Sequence, residues 1–262
     1  MTEKIHSTPL GEIHYWVNNN PIEEAKTLVF LPGLAADHTL FVHQIEYFSA
    51  HYNVLVWDAP AHGKSRPFQL AFDLEDIARY LHEILTIEKV EKPVLVGQSL
   101  GGYICQMYME LYPNEVSHFV SIDSAPLQRQ YYQNWEIWML KHTKTMYLSI
   151  PWKMLIQWGT QGVSQTVEGR ANMKAMMTNY ERIDYCNLVS FGYLMLAKAV
   201  EQNRPYNITC PVLLLCGDHD QAGSCKRYSN NWTEKTGFPL LVVPNAGHNS
   251  NIDNPEFVNK VL

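Results

Sequence analysis

Apolar positions follow two different rhythms along this chain, and the rhythm changes part-way. The first half carries short continuous runs: Glu12 to Val17, Thr27 to Leu31, Tyr52 to Trp57, Pro93 to Val96 and Val116 to Ile122. Each is bounded by turn-forming residues such as Asn18-Asn19-Asn20-Pro21 or Pro32-Gly33. Runs of this length predict strands, and continuous rather than alternating apolarity predicts strands buried on both faces. Between them, Leu74, Ile77, Ala78, Leu81 and Leu85 recur at helical spacing, and His38 to Ala50 and Leu100 to Tyr112 also read as helices. Strands alternating with helices imply a mostly parallel sheet with helices on both faces.

From about Pro126 to Asn207 the alternation stops. Helical segments follow one another without a convincing strand, in a stretch rich in Trp, Tyr and Met. Strand patterning resumes at Val212 to Cys216 and again at Leu240 to Val243. Asn254-Pro255 then opens a last helix, as N-cap and first-turn residue. About eighty residues is too long for a loop. The expected organisation is a core of residues 1–125 and 208–262 interrupted by a helical insertion at 126–207.

The most specific chemistry lies at Gly97-Gln98-Ser99-Leu100-Gly101, between an apolar strand and a helix. The pentapeptide alone arises by chance in roughly one chain in ten of this length. Its strand-to-helix context makes it a nucleophile elbow, in which a strained turn lifts the serine hydroxyl clear of the sheet. Glycine two residues to either side relieves crowding there. A serine hydroxyl needs a base, and the base an orienting acid. Gly217-Asp218-His219-Asp220 and Asn245-Ala246-Gly247-His248 follow later strands and supply both. His248 is the expected base. Asp220, Asp218 and, after the strand ending at Ile122, Asp123 are the candidate acids. His62 and Asp58 read as structural loop residues; His38 reads as a helix cap, with a pocket-lining place as the alternative.

Composition narrows the rest. The chain has 262 residues, 46% hydrophobic and 18% charged, with a formal net charge of -6. That charge gives no bulk attraction to nucleic acid or to an anionic membrane. No apolar stretch reaches the length of a membrane span. The polar start, Met1 to His6, lacks the apolar core of a signal peptide, and five cysteines without a C-x-x-C pair read as reduced; a cytoplasmic protein is expected. Asp218-His219-Asp220 has ligand-like spacing but no second His or Cys group, so no metal is expected. No G-x-G-x-x-G opens a helix after a strand, so no dinucleotide cofactor is expected either.

These features together resemble the α/β-hydrolase superfamily, in its cap-bearing, esterase-like branch. Pro32-Gly33-Leu34 stands where that family usually has His-Gly, and Asp58-Ala59-Pro60-Ala61-His62-Gly63-Lys64-Ser65 is similar to its D-x-P-G-x-G-x-S loop, with Ala61 for glycine. Gly217 to Asp220 and Gly247-His248 resemble its acid and histidine loops. The resemblance implies an eight-stranded sheet with residues 126–207 as a helical cap inserted after the sixth strand, attack by Ser99, proton transfer through His248, orientation by Asp220, and an oxyanion hole from the backbone N–H groups of Leu34 and Leu100. It implies a cofactor-free serine hydrolase of a small ester, thioester or related acyl substrate with an apolar part, working through an acyl-enzyme. Carbon–carbon bond hydrolysis or lyase chemistry is the alternative; Asn249, where the carbon–carbon hydrolases carry an aromatic residue, weighs against the first. Serine at 99 weighs against the aspartate-nucleophile branches. A ligand-binding protein with little turnover remains the reading from another class.

Overall fold

The apolar runs pair into one eight-stranded sheet in the computed structural model, which describes residues 1–205 and 207–262. The strands are β1 (Thr2–Thr8), β2 (Gly11–Val17), β3 (Thr27–Leu31), β4 (Asn53–Trp57), β5 (Val94–Gln98), β6 (His118–Ile122), β7 (Val212–Gly217) and β8 (Leu240–Val243), in the spatial order β1-β2-β4-β3-β5-β6-β7-β8. The two pairings made by β2 are antiparallel and all later ones parallel. Consecutive residues of β3, β4, β5 and β6 are buried, which requires cover on both faces.

That cover comes from helices between the strands: α1 (Val42–Phe48), α2 (Leu74–Ile87) and α3 (Leu100–Leu111), then, after β7, α9 (Cys225–Thr236), α10 (Ser250–Asp253) and α11 (Pro255–Val261). Between β6 and β7 run five helices: α4 (Asn134–Lys141), α5 (Thr143–Ser149), α6 (Trp152–Val163), α7 (Val167–Thr178) and α8 (Arg182–Gln202). Among the described residues this stretch contains no strand; Tyr206, within the expected 126–207 segment, lies outside them. Side-chain caps fix several starts. Asp73 accepts from the Asp76 amide while Asp76 accepts from the Asp73 amide, and Asn254 accepts from the Phe257 amide.

Three details differ from the pattern-based expectation. β1 carries no apolar run, because it is an edge strand whose residues are mostly exposed. The helix expected over His38 to Ala50 is broken: residues 38–41 form a 3-10 turn capped by Asp37 before α1 begins. Helix α9 has few apolar residues, and only Cys225, Tyr228, Ser229 and Trp232 along one face reach the interior.

The inserted helices are fastened to the sheet edge by polar contacts. Asp253 accepts from the Gln165 and Thr166 amides and from the hydroxyls of Ser164 and Thr166. The Asn249 amide donates to the Val163 carbonyl at 2.8 Å. The loop that carries His248 is therefore held to the α6–α7 connection.

Candidate active site

Ser99 sits between the end of β5 and the start of α3 with φ 49° and ψ −114°, a backbone state that side-chain-bearing residues rarely adopt. The neighbouring glycines are required by close approach. A Cβ on Gly101 would lie 1.8 Å from the Leu31 carbonyl oxygen, and one on Gly97 would lie 2.4 Å from the Gly101 carbonyl group. Gly33 faces the same turn, where a Cβ would meet the Gln98 side-chain oxygen at 2.3 Å. The Ser124 hydroxyl ties down the turn by donating to the Ser99 carbonyl at 2.7 Å.

His248 follows β8 and Asp220 follows β7, and both reach back to Ser99. His248 Nε2 lies 2.9 Å from Ser99 Oγ, and His248 Nδ1 lies 2.9 Å from Asp220 Oδ2. The Asp220 side chain is fully buried and that of His248 is 14% exposed. Burial by itself would push the Asp220 carboxyl up, but the charge and hydrogen bond of His248 and the Ala222 amide hold it below its ordinary value. An ionised Asp220 can only accept, so Nδ1 carries the imidazole proton and Nε2 faces the serine hydroxyl as acceptor. Burial pulls His248 down; the charge and hydrogen bond of Asp220, with the charge of Asp123, outweigh it and leave the imidazole raised.

Leu34 and Leu100 both line the cavity that opens above Ser99. Among the described residues, neither N–H donates to a protein acceptor.

Residues 26–255 match the family model for the alpha/beta hydrolase fold. The chain belongs to the α/β-hydrolase family. It is similar to the (E)-2-((N-methylformamido)methylene)succinate hydrolase of Acinetobacter baylyi, at 22% identity over 91% of this chain and 89% of that protein. Among solved structures, a hydrolase from Pseudomonas aeruginosa superposes with a TM-score of 0.80 at 17% identity, covering 98% of this chain and 96% of that one. The enol-lactonase from Burkholderia xenovorans gives 0.75 at 18% identity, covering 98% and 97%.

In this α/β-hydrolase, the two alternative acids do other work. Asp123, fully buried after β6, accepts from the Gly217 amide at 2.8 Å and the Ser250 amide at 2.9 Å, so one carboxylate ties the acid loop to the histidine loop. Burial first, then the negative charge of Asp220, pushes it well above the usual carboxylate range. Asp218 accepts from the amides of Asn245 and Ala246, each at 3.0 Å, and pairs with His219. Two further residues were not singled out from sequence. Asp253 accepts from the Gly247 amide at 2.8 Å, and Gln98 donates to the His248 carbonyl at 2.7 Å. Each bond joins residues far apart in sequence or backbone groups of no special type, so spacing gives no signal. His38 donates from its backbone to Asp58, its Nδ1 lies 2.9 Å from the same carboxylate, and its ring stacks on Trp16; it does not line the cavity.

Among the described residues, two side-chain groups have donor atoms close enough for a cation: Cys216, Asp220 and Cys225, and Asp37, His38 and Asp58. Their carboxylates are already committed, Asp220 to His248 and Ala222, Asp58 to His38 and Lys64, and Asp37 to Thr39. The first group includes two cysteines that the expectation from sequence did not connect with Asp220.

Above Ser99 opens a cavity of about 320 Å³, lined by Leu34, Leu155, Val163, Met173, Val189 and Leu196 among others. A second chamber of about 380 Å³ also reaches Ser99 and His248, along Tyr132, Trp135, Glu136 and Met139. Tyr103, Tyr193 and Leu196 line both. Most of the first cavity's lining comes from the inserted helices, whereas the second is lined mainly by the core.

Proposed function

We propose that this α/β-hydrolase is a serine hydrolase that cleaves an uncharged, largely apolar ester, thioester or related acyl compound through an acyl-enzyme on Ser99. The observation that carries this reading is the continuous hydrogen-bonded line from Ser99 through His248 to the buried Asp220. In the first step Ser99 Oγ attacks the acyl carbon as His248 Nε2 takes the hydroxyl proton. The resulting oxyanion faces the amides of Leu34 and Leu100. Collapse expels the leaving group, which takes the proton from His248. Water then attacks the acyl carbon by the same route and frees the acid. Asp220 stabilises the imidazolium in both halves without accepting its proton. Losing one oxyanion donor typically costs about 100- to 1,000-fold in rate.

The chambers support the substrate class. Among the described residues no Lys or Arg lines either one, and the first, of about 320 Å³, carries no carboxylate. A substrate carboxylate buried there would lack a partner, which is costly. The Acinetobacter relative is named for a succinate; this site favours a neutral acyl group. Residues 126–207 act as the cap that closes over it, and their Met and aromatic side chains shape an adaptable apolar wall.

Release of p-nitrophenol from esters running from acetate to decanoate tests the reading. Turnover that favours medium chains and disappears in Ser99→Ala is the expected result. Absence of Ser99-dependent turnover on every chain length would overturn it and favour ligand binding without chemistry.

A further inference from the structure

The charge of this chain is unevenly divided. Residues 126–207 carry nine Lys and Arg against five Asp and Glu, whereas the remainder carries eleven against twenty-one. The helical segment is thus the positive pole of an acidic protein. Within it, no acidic residue occurs from 137 to 167, while Lys141, Lys144 and Lys153 are all exposed.

The same stretch holds an unusual set of exposed apolar side chains. Trp135, Trp138 and Met139 on α4 are 59%, 60% and 48% exposed; Met146 on α5 is 46% exposed, and Met154 and Trp158 on α6 are 39% and 52% exposed. Burying none of this surface is unfavourable in a monomer, and contiguous patches of this kind mark interaction sites. Four of these residues also line the chambers: Met146 and Trp158 the first, Trp135 and Met139 the second. A residue that faces both solvent and chamber stands at the mouth. The patch therefore surrounds the openings that lead to Ser99.

We propose that the outer face of α4–α6 docks on an anionic phospholipid surface, so that apolar substrate passes from the lipid into the chambers without crossing water. Charge complementarity selects this occupant. An anionic leaflet attracts exposed lysines and repels the acidic core, which turns the chamber mouths toward the lipid. Trp side chains suit the interface, because the ring is apolar and the indole N–H keeps a polar partner. Binding at the interface requires no spanning segment, and no helix among the described residues is long and apolar enough to cross a membrane. The formal charge of -6 hides this surface, since it averages the two poles.

The substrate route rests on the hydrolase reading above, but the docking itself does not. It is measured on Ser99→Ala, by co-sedimentation with phosphatidylcholine vesicles made with and without phosphatidylglycerol. The expected result is binding only to the anionic vesicles, falling with added salt. Lys144→Gln with Lys153→Gln should weaken it about 25-fold, at roughly one tenfold step per 1.4 kcal/mol and about 1 kcal/mol per lysine. Trp138→Ser with Met154→Ser should weaken it at least as much. Circular dichroism and melting temperature control for folding. Equal sedimentation with neutral vesicles, or unchanged binding in both double variants, would overturn the proposal. So would a dimer in analytical ultracentrifugation that Trp138→Ser with Met154→Ser dissolves, which would make the face a contact between two copies. Loss of esterase activity in Ser99→Ala with vesicle binding intact separates the two claims.

Discussion

The loops at the sheet edge and the helices that cover them are built in opposite ways. At the edge, carboxylates hold each loop by its backbone: buried Asp123 joins Gly217 to Ser250, partly exposed Asp218 holds Asn245 and Ala246, and buried Asp253 holds Gly247. Charge-assisted bonds to amides are short and directional, so they fix the hydroxyl, imidazole and carboxylate to the tolerance that proton transfer requires. The covering helices meet the cavity with Met, Leu, Val, Tyr and Trp. Dispersion contacts have no preferred direction, and Met adapts to varied shapes. One region is suited to fixing chemistry, the other to accepting a family of apolar groups.

This contrast predicts that changes at the edge alter rate regardless of substrate, and changes in the helices alter which substrate is preferred. The largest effect belongs to Ser99→Ala, expected to lower kcat by roughly 10⁴- to 10⁶-fold on every chain length. A loss confined to long chains would break the contrast.

Next is Asp220→Asn. The base must be neutral to accept a proton, so activity should rise with pH as His248 deprotonates. Because Asp220 raises His248 above its ordinary value of 6.5, the rising limb should lie above that value in the wild type. Removing the negative charge lowers the imidazole pKa, so the limb should move to lower pH while kcat falls by about 10⁴-fold. A limb that stays in place would mean that Asp220 does not govern the base.

Asp123→Asn sharpens the comparison. Asp123 touches no reacting atom, so its role is positioning. The amide keeps the shape but puts an N–H₂ against one of two backbone donors. Kcat/KM should drop about tenfold, matching the loss of one buried bond. The acidic limb should also shift down, since the charge of Asp123 helps raise His248. A purely structural residue would lower the melting temperature and leave the limb unmoved.

The smallest effect is expected at Gly192, on α8. A Cβ there would meet the Leu34 side chain at 2.5 Å, pressing one wall of the first chamber inward. Gly192→Ala should reduce kcat/KM for decanoate by about ten-fold and for acetate hardly at all, a difference of the order that single methylene groups produce in apolar pockets. Equal losses on both esters would place Gly192 with the edge rather than with the helices.

The chain announced its sheet through continuous apolar runs, because strands buried on both faces have no polar side to interrupt them. The elbow was equally legible, because the backbone at Ser99 demands glycine at 97 and 101. β1 and α9 were not, since each buries too little apolar surface to leave a period. The carboxylate clamps were hidden for another reason. An aspartate that accepts from two amides leaves no mark on the sequence around those amides. Between Asp220, Asp123 and Asp218, sequence order gave a preference, and three-dimensional contact separates their hydrogen-bond partners. The mouth of the chambers was legible only in part: the Trp and Met content of 126–207 stood out, but which residues face solvent depends on the packing of α4 and α5 against α8 and of α6 against α7.

The most direct test of the central claim is to trap the reaction at Ser99. The protein would be mixed with a p-nitrophenyl ester of medium chain length, quenched in acid during turnover, digested and analysed by peptide mass spectrometry. An acyl adduct on the peptide that contains Ser99, formed at the rate of the p-nitrophenol burst, is the predicted result. Rapid turnover with Ser99 unmodified, or an adduct on another residue, would contradict it.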